Sequence, residues 1–497
     1  MNQKEFFDVI TVGTTFPPLV ASALLARRGL RVLVVGSGRT ELSGHNLIVN
    51  TLSSKLVSRI LEELGVTYIV KRKMKRPESL YQVILPDLRI DVFRETEKFL
   101  EEMKREFPKN FRDIENLYNL MPQIMEGTEK ILEGEHLIPP EGIIEKKKME
   151  ILLKSTPFRG QKENSEAIEK VLVNPSFSLF LKVSGGANSF LEPDYIDPFM
   201  SLFLHWRRFR NCAVWEGGMN TLEEIFYQRV DAYGGEVRLL DVPEEISLRG
   251  EKVISLRMEG KESLIGCDFL LMGLESEYFE PLMKDERKIL EKCDLSSDKL
   301  VPTGLVATAQ LLVSKEVIPE PMNSNIVVVF NEKAPLREDN FLWAEVDRLW
   351  NKENDKTAKV FLHYILDRKN LFNDPAYSKR VLDSIIKNLE MVMPFLNKFV
   401  IECKDPIENI LRSNLIPNPL LRISRFLPSV YEYRGKENLP FLGLGYGTRI
   451  KNLFRVNSEV CPSIGEDGLW SSALGVANLL TSMRKSKTKL RRRIMFS

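Results

Sequence analysis

Residues 8–36 read DVITVGTTFPPLVASALLARRGLRVLVVG. An apolar run that ends at Gly13 predicts a strand, and apolar residues at helical spacing over 17–28 predict the helix that follows it. A second apolar run over 32–35 predicts another strand. Both runs are apolar on both faces, as the strands of a parallel sheet are when helices cover it. This stretch therefore predicts a strand-helix-strand unit within a doubly wound α/β fold.

The composition is that of a globular protein with a sizeable core. Of the 497 residues, 43% are hydrophobic and 28% are charged, which excludes a disordered or fibrous chain. The 71 Lys and Arg residues nearly balance the 69 Asp and Glu residues, so we expect no nucleic-acid partner. The five cysteines are odd in number and contain no CxxC pair. This argues against a disulfide framework and a cysteine-rich metal site, and it favours a reducing compartment.

No stretch of the sequence has the pattern of a secretory signal or a spanning helix. The first thirty residues lack a basic start, an apolar middle and a small-residue cleavage site. The richest apolar stretch, 179–206, is interrupted by charged residues and two prolines. The C-terminal stretch 484–497 is strongly basic with an apolar tip. We therefore expect a cytoplasmic protein whose tail binds an anionic surface at the inner face of the membrane; a solvated tail is the alternative.

The order of the predicted elements indicates two interleaved domains. One is a Rossmann-like, FAD-type domain with a doubly wound sheet, and the other is a helical and mixed α+β substrate domain. The Rossmann-like domain takes 1–94, 211–300 and 431–483, the substrate domain takes 95–210 and 301–430, and 484–497 form the basic tail. The chain is thus expected to leave the first domain twice and to return twice.

Four local patterns give further expectations. Apolar spacing predicts a helix over 53–64, and the apolar run 66–70 predicts a short strand. Thr221 as N-cap and Glu224 three residues later predict a capping box at the start of another helix. A C-terminal helix is expected over 469–483 because apolar residues recur there on one face.

Several motifs occur in an order that resembles a known superfamily. They are DVITVG at 8–13, ALLARRGLRVLVV at 23–35, the turn Pro86-Asp87 followed by Phe107-Pro108, WEGGMNTL at 215–222 and GGEVR at 234–238. The chain resembles flavin-dependent oxidoreductases of the carotenoid (phytoene) desaturase and amine-oxidase type over nearly its whole length. The resemblance implies that the sheet domain carries FAD and that the other segments form a tunnel for a long apolar substrate.

The dinucleotide-binding turn departs from that family's pattern. Such a turn needs glycine for the tight bend, glycine where the backbone meets the pyrophosphate, glycine where helix meets strand, and an acid after the second strand. Here these places read Gly13, Thr15, Pro18 and Gly36. Thr15 puts a β-branched side chain where phosphate approaches the backbone, and Pro17 and Pro18 have no N–H to offer an anion. We therefore expect the fold to be kept while FAD binding is weak or lost.

A second departure lies where the C-terminal helix begins. The resemblance implies a glycine-rich loop whose helix start points at the flavin, whereas this chain has Glu466-Asp467. Two carboxylates there would satisfy the helix dipole themselves and oppose a flavin anion or a phosphate. Glu41 could replace the missing ribose acid, and Gly44 resembles the family's glycines after the second strand. The candidate cofactor-binding residues are thus Gly13, Thr14, Thr15, Gly36, Glu41, Gly44, Val237, Glu466 and Asp467.

Other catalytic chemistry receives little support from the sequence. The histidines lack the spacing of metal ligands, so no metal site is expected; they are His45, His136, His205 and His363, of which His45 lies nearest the cofactor turn. No hydrolase or kinase motif occurs, and no catalytic residue is assigned. Cys461, near the flavin-facing turn, is expected to be a buried small apolar residue rather than a redox group.

Aromatic residues concentrate between 177 and 206. They are Phe177, Phe180, Phe190, Tyr195, Phe199, Phe203 and Trp206. Such residues either line a tunnel for an apolar ligand or pack as an ordinary core. The sequence leaves both alternatives open.

Two functions follow from these observations. The first is a desaturase-like oxidoreductase that acts on an apolar isoprenoid or lipid-like substrate, with hydride transfer to flavin N5 if FAD is bound. The second is a non-catalytic protein that binds a lipid or prenyl group and has lost FAD. The Rab GDP-dissociation inhibitors resemble the same superfamily, lack FAD and carry prenylated partners, so loss of flavin is a workable outcome.

Overall fold

A computed structural model describes residues 5–36, 48–49, 51–134, 136–154, 156, 162–215, 218–286, 295, 297–347, 356–374, 376–405, 407, 410, 427–435 and 441–495. Within these residues the chain builds two large sheets, one small sheet and the helices that cover them. The α/β class predicted from the sequence is confirmed, since a mostly parallel Rossmann-like sheet is interleaved with a helical and mixed α+β unit.

The first sheet has seven strands. They are β1 (Phe6–Val12), β2 (Val32–Val35), β8 (Glu236–Arg238), β9 (Pro243–Leu248), β10 (Val253–Met258), β11 (Leu264–Met272) and β18 (Leu453–Arg455). Their order is β8-β2-β1-β11-β10-β9, and β18 also pairs with β11. The strands β8, β2, β1, β11 and β18 are parallel, whereas β9 and β10 form an antiparallel extension.

The second sheet has eight strands and is almost entirely antiparallel. They are β5 (Ser79–Ile84), β6 (Arg89–Phe93), β12 (Leu300–Ser314), β13 (Asn325–Val329), β14 (Phe341–Val346), β15 (Thr357–Asp367), β16 (Val400–Lys404) and β17 (Ser429–Tyr433). Their order is β16-β12-β15-β14-β13-β5-β6, with β17 also on β12. The hairpin β5-β6, which lies inside the predicted first segment 1–94, therefore belongs to the second sheet, through the parallel pairing of β5 with β13.

A small sheet and the helices complete the described structure. The small sheet has the order β3-β7-β4, with β3 (Ile48–Val49), β4 (Met74–Lys75) and β7 (Ala213–Trp215). The helices are α1 (Phe16–Arg27), α2 (Lys55–Glu63), α3 (Thr67–Lys73), α4 (Thr96–Glu106), α5 (Phe111–Glu133), α6 (Gly142–Leu153), α7 (Lys162–Leu172), α8 (Pro175–Gly186), α9 (Pro198–Asn211), α10 (Gly218–Ala232), α11 (Ser276–Phe279), α12 (Arg368–Asn373), α13 (Tyr377–Asn388), α14 (Leu396–Phe399) and α15 (Gly465–Met495).

The cores follow the period of each element. Helix α1 is apolar all round, and every residue from Phe16 to Ala26 is buried between the first sheet, α10 and α15. Successive side chains of β13 point to opposite faces of the second sheet, so they pack into two different cores. Val327 packs with the bundle formed by α4 to α9, and Val328 packs on the opposite face with α12 to α14.

The predicted strand at 66–70 is wrong. Residues Thr67–Lys73 form the helix α3, directly after α2 and Gly65. The side chain of Tyr68 is 79% exposed, and within α3 only Val70 is buried. The apolar run therefore does not lie on a buried strand, because two of its members face solvent. The helix expected over 53–64 is confirmed as α2, and Ser54 caps it by accepting from the Val57 N–H.

The capping box at Thr221 is also wrong, because α10 begins three residues earlier, at Gly218. Thr221 lies inside the first turn, where its hydroxyl donates to the Gly218 carbonyl at 3.0 Å. The same hydroxyl accepts from the indole N–H of the buried Trp215 at 2.7 Å. Its role is thus to satisfy a buried donor at the end of β7.

Helix α15 includes the predicted C-terminal helix and continues to Met495 through the basic tail. Its Arg484 is held on the first domain, since Nη1 donates to the Gly29 carbonyl at 2.8 Å and Nη2 lies 3.2 Å from the Asp8 carboxylate. In the described part of the chain, no helix combines the length and the apolar character needed to cross a bilayer.

We expect Thr221→Ala to lower the free energy of unfolding by roughly 1–2 kcal/mol, because the buried Trp215 indole would lose its acceptor. Thr221→Ser keeps the hydroxyl and should recover most of the loss. Urea denaturation of the wild type and both variants measures this. An alanine variant as stable as the wild type would show that the Trp215 bond contributes nothing to stability.

Candidate functional site

The turn after β1 is built by close contact between two glycines. Gly13 has φ +124°, and a Cβ there would lie 2.9 Å from the carbonyl carbon of Gly273, which follows β11. The Gly13 N–H donates to Val35, and the Gly273 N–H donates to Val12. The carboxyl ends of β1, β2 and β11 therefore meet at one point, which is where ligands bind in open α/β sheets.

The start of α1, next to this turn, offers few hydrogen-bond donors. Thr15 is the N-cap residue and makes no side-chain cap. Pro17 and Pro18 have no N–H, and the N–H of Leu19 already bonds to the Thr15 carbonyl at 3.3 Å. Of the first four helical residues, only Phe16 retains an N–H for a ligand. The Pro18 ring also lies against Gly273, where an added Cβ would meet it at 2.7 Å.

Aromatic rings pack where α1, α10 and α15 begin. The ring of Phe16 meets Trp470 edge-to-face with centroids 4.3 Å apart, and it lies 5.7 Å from the ring of Phe226. Phe226 and Trp470 lie 6.1 Å apart, so the three rings form one cluster. The first residue of α1 is thereby anchored in the apolar core rather than presented to a polar ligand.

Glu466 and Asp467 at the start of α15 are both engaged by protein groups. Glu466 accepts hydrogen bonds from the Thr51 hydroxyl at 3.0 Å and the Trp470 indole at 3.4 Å. Asp467 accepts two bonds from Arg207 of α9, from Nε and from Nη2, each at 2.8 Å. The Arg207 and Asp467 side chains are each only 1% exposed. The charge of Asp467 is therefore neutralised, so it does not by itself repel an anion.

Of the remaining predicted cofactor residues, Thr14 and Gly36 lie together beside Gly13, whereas Val237 lies on the edge strand β8. Thr14 is buried, and its carbonyl accepts from the Tyr227 hydroxyl at 3.2 Å. A Cβ at Gly36 would lie 3.1 Å from the Thr14 methyl. Val237 is half-buried in the edge strand β8, where it pairs with Val34. Glu41, Gly44 and His45 fall outside the described residues.

These residues do not fit the pyrophosphate of FAD. A dinucleotide needs several free N–H groups at the start of the first helix, and two of the positions that would supply them are proline. The N-cap residue is threonine instead of glycine, and among the first four helical residues only Phe16 keeps an N–H that could reach a phosphate. What survives is Gly13 with its close approach to Gly273, which the fold itself requires.

A second polar group lies on the face of the second sheet that turns toward the helical bundle. His363 of β15 is the cross-strand partner of Thr308 on β12 and of Trp343 on β14. Its Nδ1 lies 2.9 Å from the Thr308 hydroxyl, and its Nε2 lies 4.0 Å from the carboxylate of the buried Glu345. Its ring stacks on Trp343 with centroids 5.4 Å apart. The sequence shows no spacing that would reveal this group, because it depends on strand register.

His205 belongs to a closed network inside the helical bundle. Its Nε2 bonds to the Tyr118 hydroxyl at 2.7 Å, and its Nδ1 lies 2.8 Å from Ser184 and 3.1 Å from the Tyr81 hydroxyl. Burial and the charge of Arg208 lower the pKa of His205 to about 3, so the ring is neutral at physiological pH. No cluster of His, Cys, Asp or Glu suited to a metal ion occurs among the described side chains.

The aromatic segment 177–206 packs mainly as core. Phe177, Phe180, Phe203 and Trp206 are buried in the bundle, Phe190 and Phe199 pack partly buried against it, and Tyr195 is exposed. These contacts favour the second of the two alternatives, an ordinary core. Cys461 is buried, and burial raises the pKa of its thiol to about 12, as expected of an inert apolar residue.

Two buried carboxyl groups join the sheets near the end of β11. Glu275 accepts from the Ser429 N–H and hydroxyl and from the Tyr431 hydroxyl, both on β17. Ser276, the residue after Glu275, donates both its N–H and its hydroxyl to the Glu459 carboxylate. Burial and the neighbouring Glu459 raise the pKa of Glu275 to about 7. Glu275 is thus a titratable link between the first and second sheets.

No protein-family model matches the chain, and no curated protein is significantly similar in sequence. Solved structures match its fold. An oxidoreductase from Methanosarcina mazei aligns at 12% identity with a TM-score of 0.55, over 95% of this chain and 99% of its own. A putrescine oxidase variant redesigned in its cofactor binding aligns at 12% identity with a TM-score of 0.55, over 96% of this chain and 99% of its own. Cyclohexylamine oxidase from Brevibacterium oxydans aligns at 12% identity with a TM-score of 0.52, over the same shares of the two chains.

The chain therefore has the fold of these oxidoreductases. The architecture that the resemblance implied is confirmed as a fold, because three solved structures of low sequence identity align with nearly the whole chain. Identities near one residue in eight show a shared architecture and not a shared activity. Membership of the carotenoid desaturases stays a prediction.

We expect the link at Glu275 to make stability depend on pH. The pKa of Glu275 is about 7 in the folded protein, above its usual 4.5, so its contribution is fully present below about pH 4.5 and is lost as pH rises through 7. From pH 5 to 8 the free energy of unfolding should fall by roughly 1–3 kcal/mol more in the wild type than in Glu275→Gln.

Urea denaturation at several pH values measures this difference. Glu262→Gln, at an exposed position, is the control and should follow the wild type. Parallel profiles for the wild type and Glu275→Gln would contradict the expected titration.

Proposed function

We propose that this chain is a non-catalytic binding protein for an apolar, lipid-like ligand, built on a flavin-oxidoreductase fold that no longer holds FAD tightly. The observation that carries the proposal is the start of α1. Pro17 and Pro18 remove two N–H groups at the place where a dinucleotide pyrophosphate would bind. Without these donors, the helix dipole alone supplies little binding energy.

The contacts of the neighbouring residues support the same conclusion. The Phe16 ring packs edge-to-face on Trp470, which draws the first residue of α1 into the core. Pro18 lies against Gly273, so helix and strand pack closely through a proline where the dinucleotide-binding pattern has a glycine. The start of α1 is thus well packed without a dinucleotide. Such packing is expected of a fold that is retained for a function other than FAD binding.

A second candidate is the FAD-dependent oxidoreductase that acts on an isoprenoid. It is favoured by the preserved close approach of Gly13 to Gly273 and by the fold shared with oxidoreductases. It requires FAD to be held by weaker contacts, with Glu41 and Gly44 among the candidates. The visible spectrum of the purified protein distinguishes the two functions, because only the second needs stoichiometric flavin.

We expect the purified wild type to carry far less than one flavin per chain and to bind added FAD weakly. A variant combining Thr15→Gly, Pro17→Ala and Pro18→Gly restores two N–H groups and the close approach, so its FAD affinity should rise at least tenfold. Pro175→Ala changes a proline at the start of the distant α8 and should leave FAD binding unchanged. Absorbance and fluorescence titration measure both. A yellow wild-type protein with stoichiometric FAD would overturn the proposal in favour of the oxidoreductase.

The proposal extends to a membrane surface as the source of the ligand. Beyond Lys485, the sequence carries Lys487, Lys489 and Arg491 to Arg493, followed by Ile494, Met495 and Phe496. Basic residues each contribute about 1 kcal/mol near an anionic bilayer, and an apolar tip can insert beyond them. Because the whole chain is nearly neutral, any such attraction has to be local.

We expect full-length protein to pellet with anionic vesicles at low salt and a chain ending at Lys485 to remain in the supernatant. This truncation keeps the contacts of Arg484 with Gly29 and Asp8, so the first domain is not disturbed. Neutral vesicles are the lipid control, and 1 M salt should weaken binding because the Debye length falls to about 3 Å. Equal pelleting of both proteins would leave the tail as a solvated helix.

A further inference from the structure

Arg208 of α9 is a buried cation whose hydrogen bonds are incomplete. The residue is 4% exposed, and its Nε and Nη1 have no acceptor among the described residues. Its guanidinium carbon lies 3.8 Å above the centre of the Tyr81 ring, which is the contact that holds it in place. A ring face attracts a cation but accepts no conventional hydrogen bond, so two buried donors remain unsatisfied.

Other deeply buried arginines in the described chain are satisfied. Arg207, the preceding residue, makes two bonds to Asp467. Arg455 donates to the Gly447 and Leu295 carbonyls and to the Ser276 hydroxyl. Burial of an unpaired charge is costly, and such groups in folded proteins are paired or bind a ligand. The difference therefore points to a missing acceptor at Arg208.

The hydroxyl of Tyr81, on whose ring Arg208 stacks, and its partners do not supply this acceptor. The Tyr81 hydroxyl is engaged with Ser184 and with Nδ1 of His205. The second nitrogen of His205 is engaged with Tyr118. These groups form a closed neutral network behind the Tyr81 ring, so none of them offers an anion to the guanidinium.

Arg94 is a second arginine with an unsatisfied buried donor in the described chain. It follows β6, and the donor is its Nη2. The charges of Arg208 and Arg94 both lower the pKa of the Cys212 thiol. The Cys212 N–H donates to the Arg208 carbonyl. Burial raises the pKa of the Cys212 thiol to about 12, the two arginines oppose that rise, and Glu466 and Glu345 add to it. The thiol is therefore neutral and supplies no anion to Arg208.

We infer that Arg208 binds the carboxylate of an amphipathic ligand whose apolar body lies against the helical bundle. The inference rests on the proposed function and specifies its ligand class. A carboxylate supplies the acceptor that Arg208 lacks. A singly charged group is favoured over a phosphate dianion, because it balances the one charge of Arg208 and leaves no excess negative charge in the buried surroundings.

Calorimetric titration with decanoate, decanol and decyl phosphate at pH 8 tests the inference, since the three probes share one apolar body. Wild-type protein should bind decanoate at least tenfold more tightly than decanol, and more tightly than decyl phosphate. Arg208→Met should abolish the preference for decanoate while keeping the affinity for decanol, and Arg208→Lys should keep part of it. Arg210→Met, at an exposed position on the same helix with a similar contact to Trp206, should behave as the wild type.

Thermal denaturation without ligand separates ligand binding from a purely structural role of Arg208, because the two predict opposite changes in the melting temperature of Arg208→Met. Arg208→Met should be at least as stable as the wild type, because it no longer buries an unpaired charge, whereas loss of a purely structural cation would lower the melting temperature. Equal affinity of the wild type for decanoate and decanol would overturn the inference and leave the proposed function standing. Tighter binding of decyl phosphate would also overturn it. Binding of none of the three probes would contradict the proposed function as well.

Discussion

The buried ion pair between Arg207 and Asp467 joins the helical bundle to the start of α15, beside the first sheet. The residues are 260 positions apart in sequence, and their two parallel hydrogen bonds fix the start of α15 against α9. Both side chains have left water entirely, so the pair is favourable only while its geometry is complete. Removal of Arg207 would leave the Asp467 carboxylate buried without its ion-pair partner, whereas removal of Asp467 would leave Arg207 with only the longer contact to Glu129 at 3.7 Å. The position of the helical bundle on the Rossmann-like sheet is therefore specified by a contact that tolerates little displacement.

This pair also changes the electrostatics of the cofactor junction. With Asp467 neutralised and Glu466 bonded to Thr51 and Trp470, the start of α15 is closed by protein groups. The start of α1 is closed by a different means, because Pro17 and Pro18 lack donors and Phe16 lies in the core. Two helix ends that could face a dinucleotide are thus occupied from within, one by carboxylates and one by apolar contacts.

The sequence predicted those parts of the fold that depend on local pattern. The unit β1-α1-β2 was accessible because its strands are apolar on both faces and its helix is apolar throughout. The run 66–70 misled because Tyr68 and Ile69 are apolar yet exposed, which no periodicity shows. Two features could not be predicted: the ion pair between Asp467 and Arg207, and the grouping of His363 with Thr308 and Glu345. They depend on tertiary contact and on strand register, and neither leaves a spacing signal in the sequence.

The position of β11 at the centre of the first sheet bears on how the chain comes to be folded during synthesis. This strand pairs with β1 from the beginning of the chain and with β18 from near its end. Pairings between such distant segments make folding slow, because the loops between them must close before the contacts form. On a ribosome, β1 would wait for β11 to emerge before this pairing formed, and the sheet would be complete only after β18 had followed. The apolar faces of β1 and α1 would be exposed during that interval, so this architecture depends on protection from aggregation while it is being made.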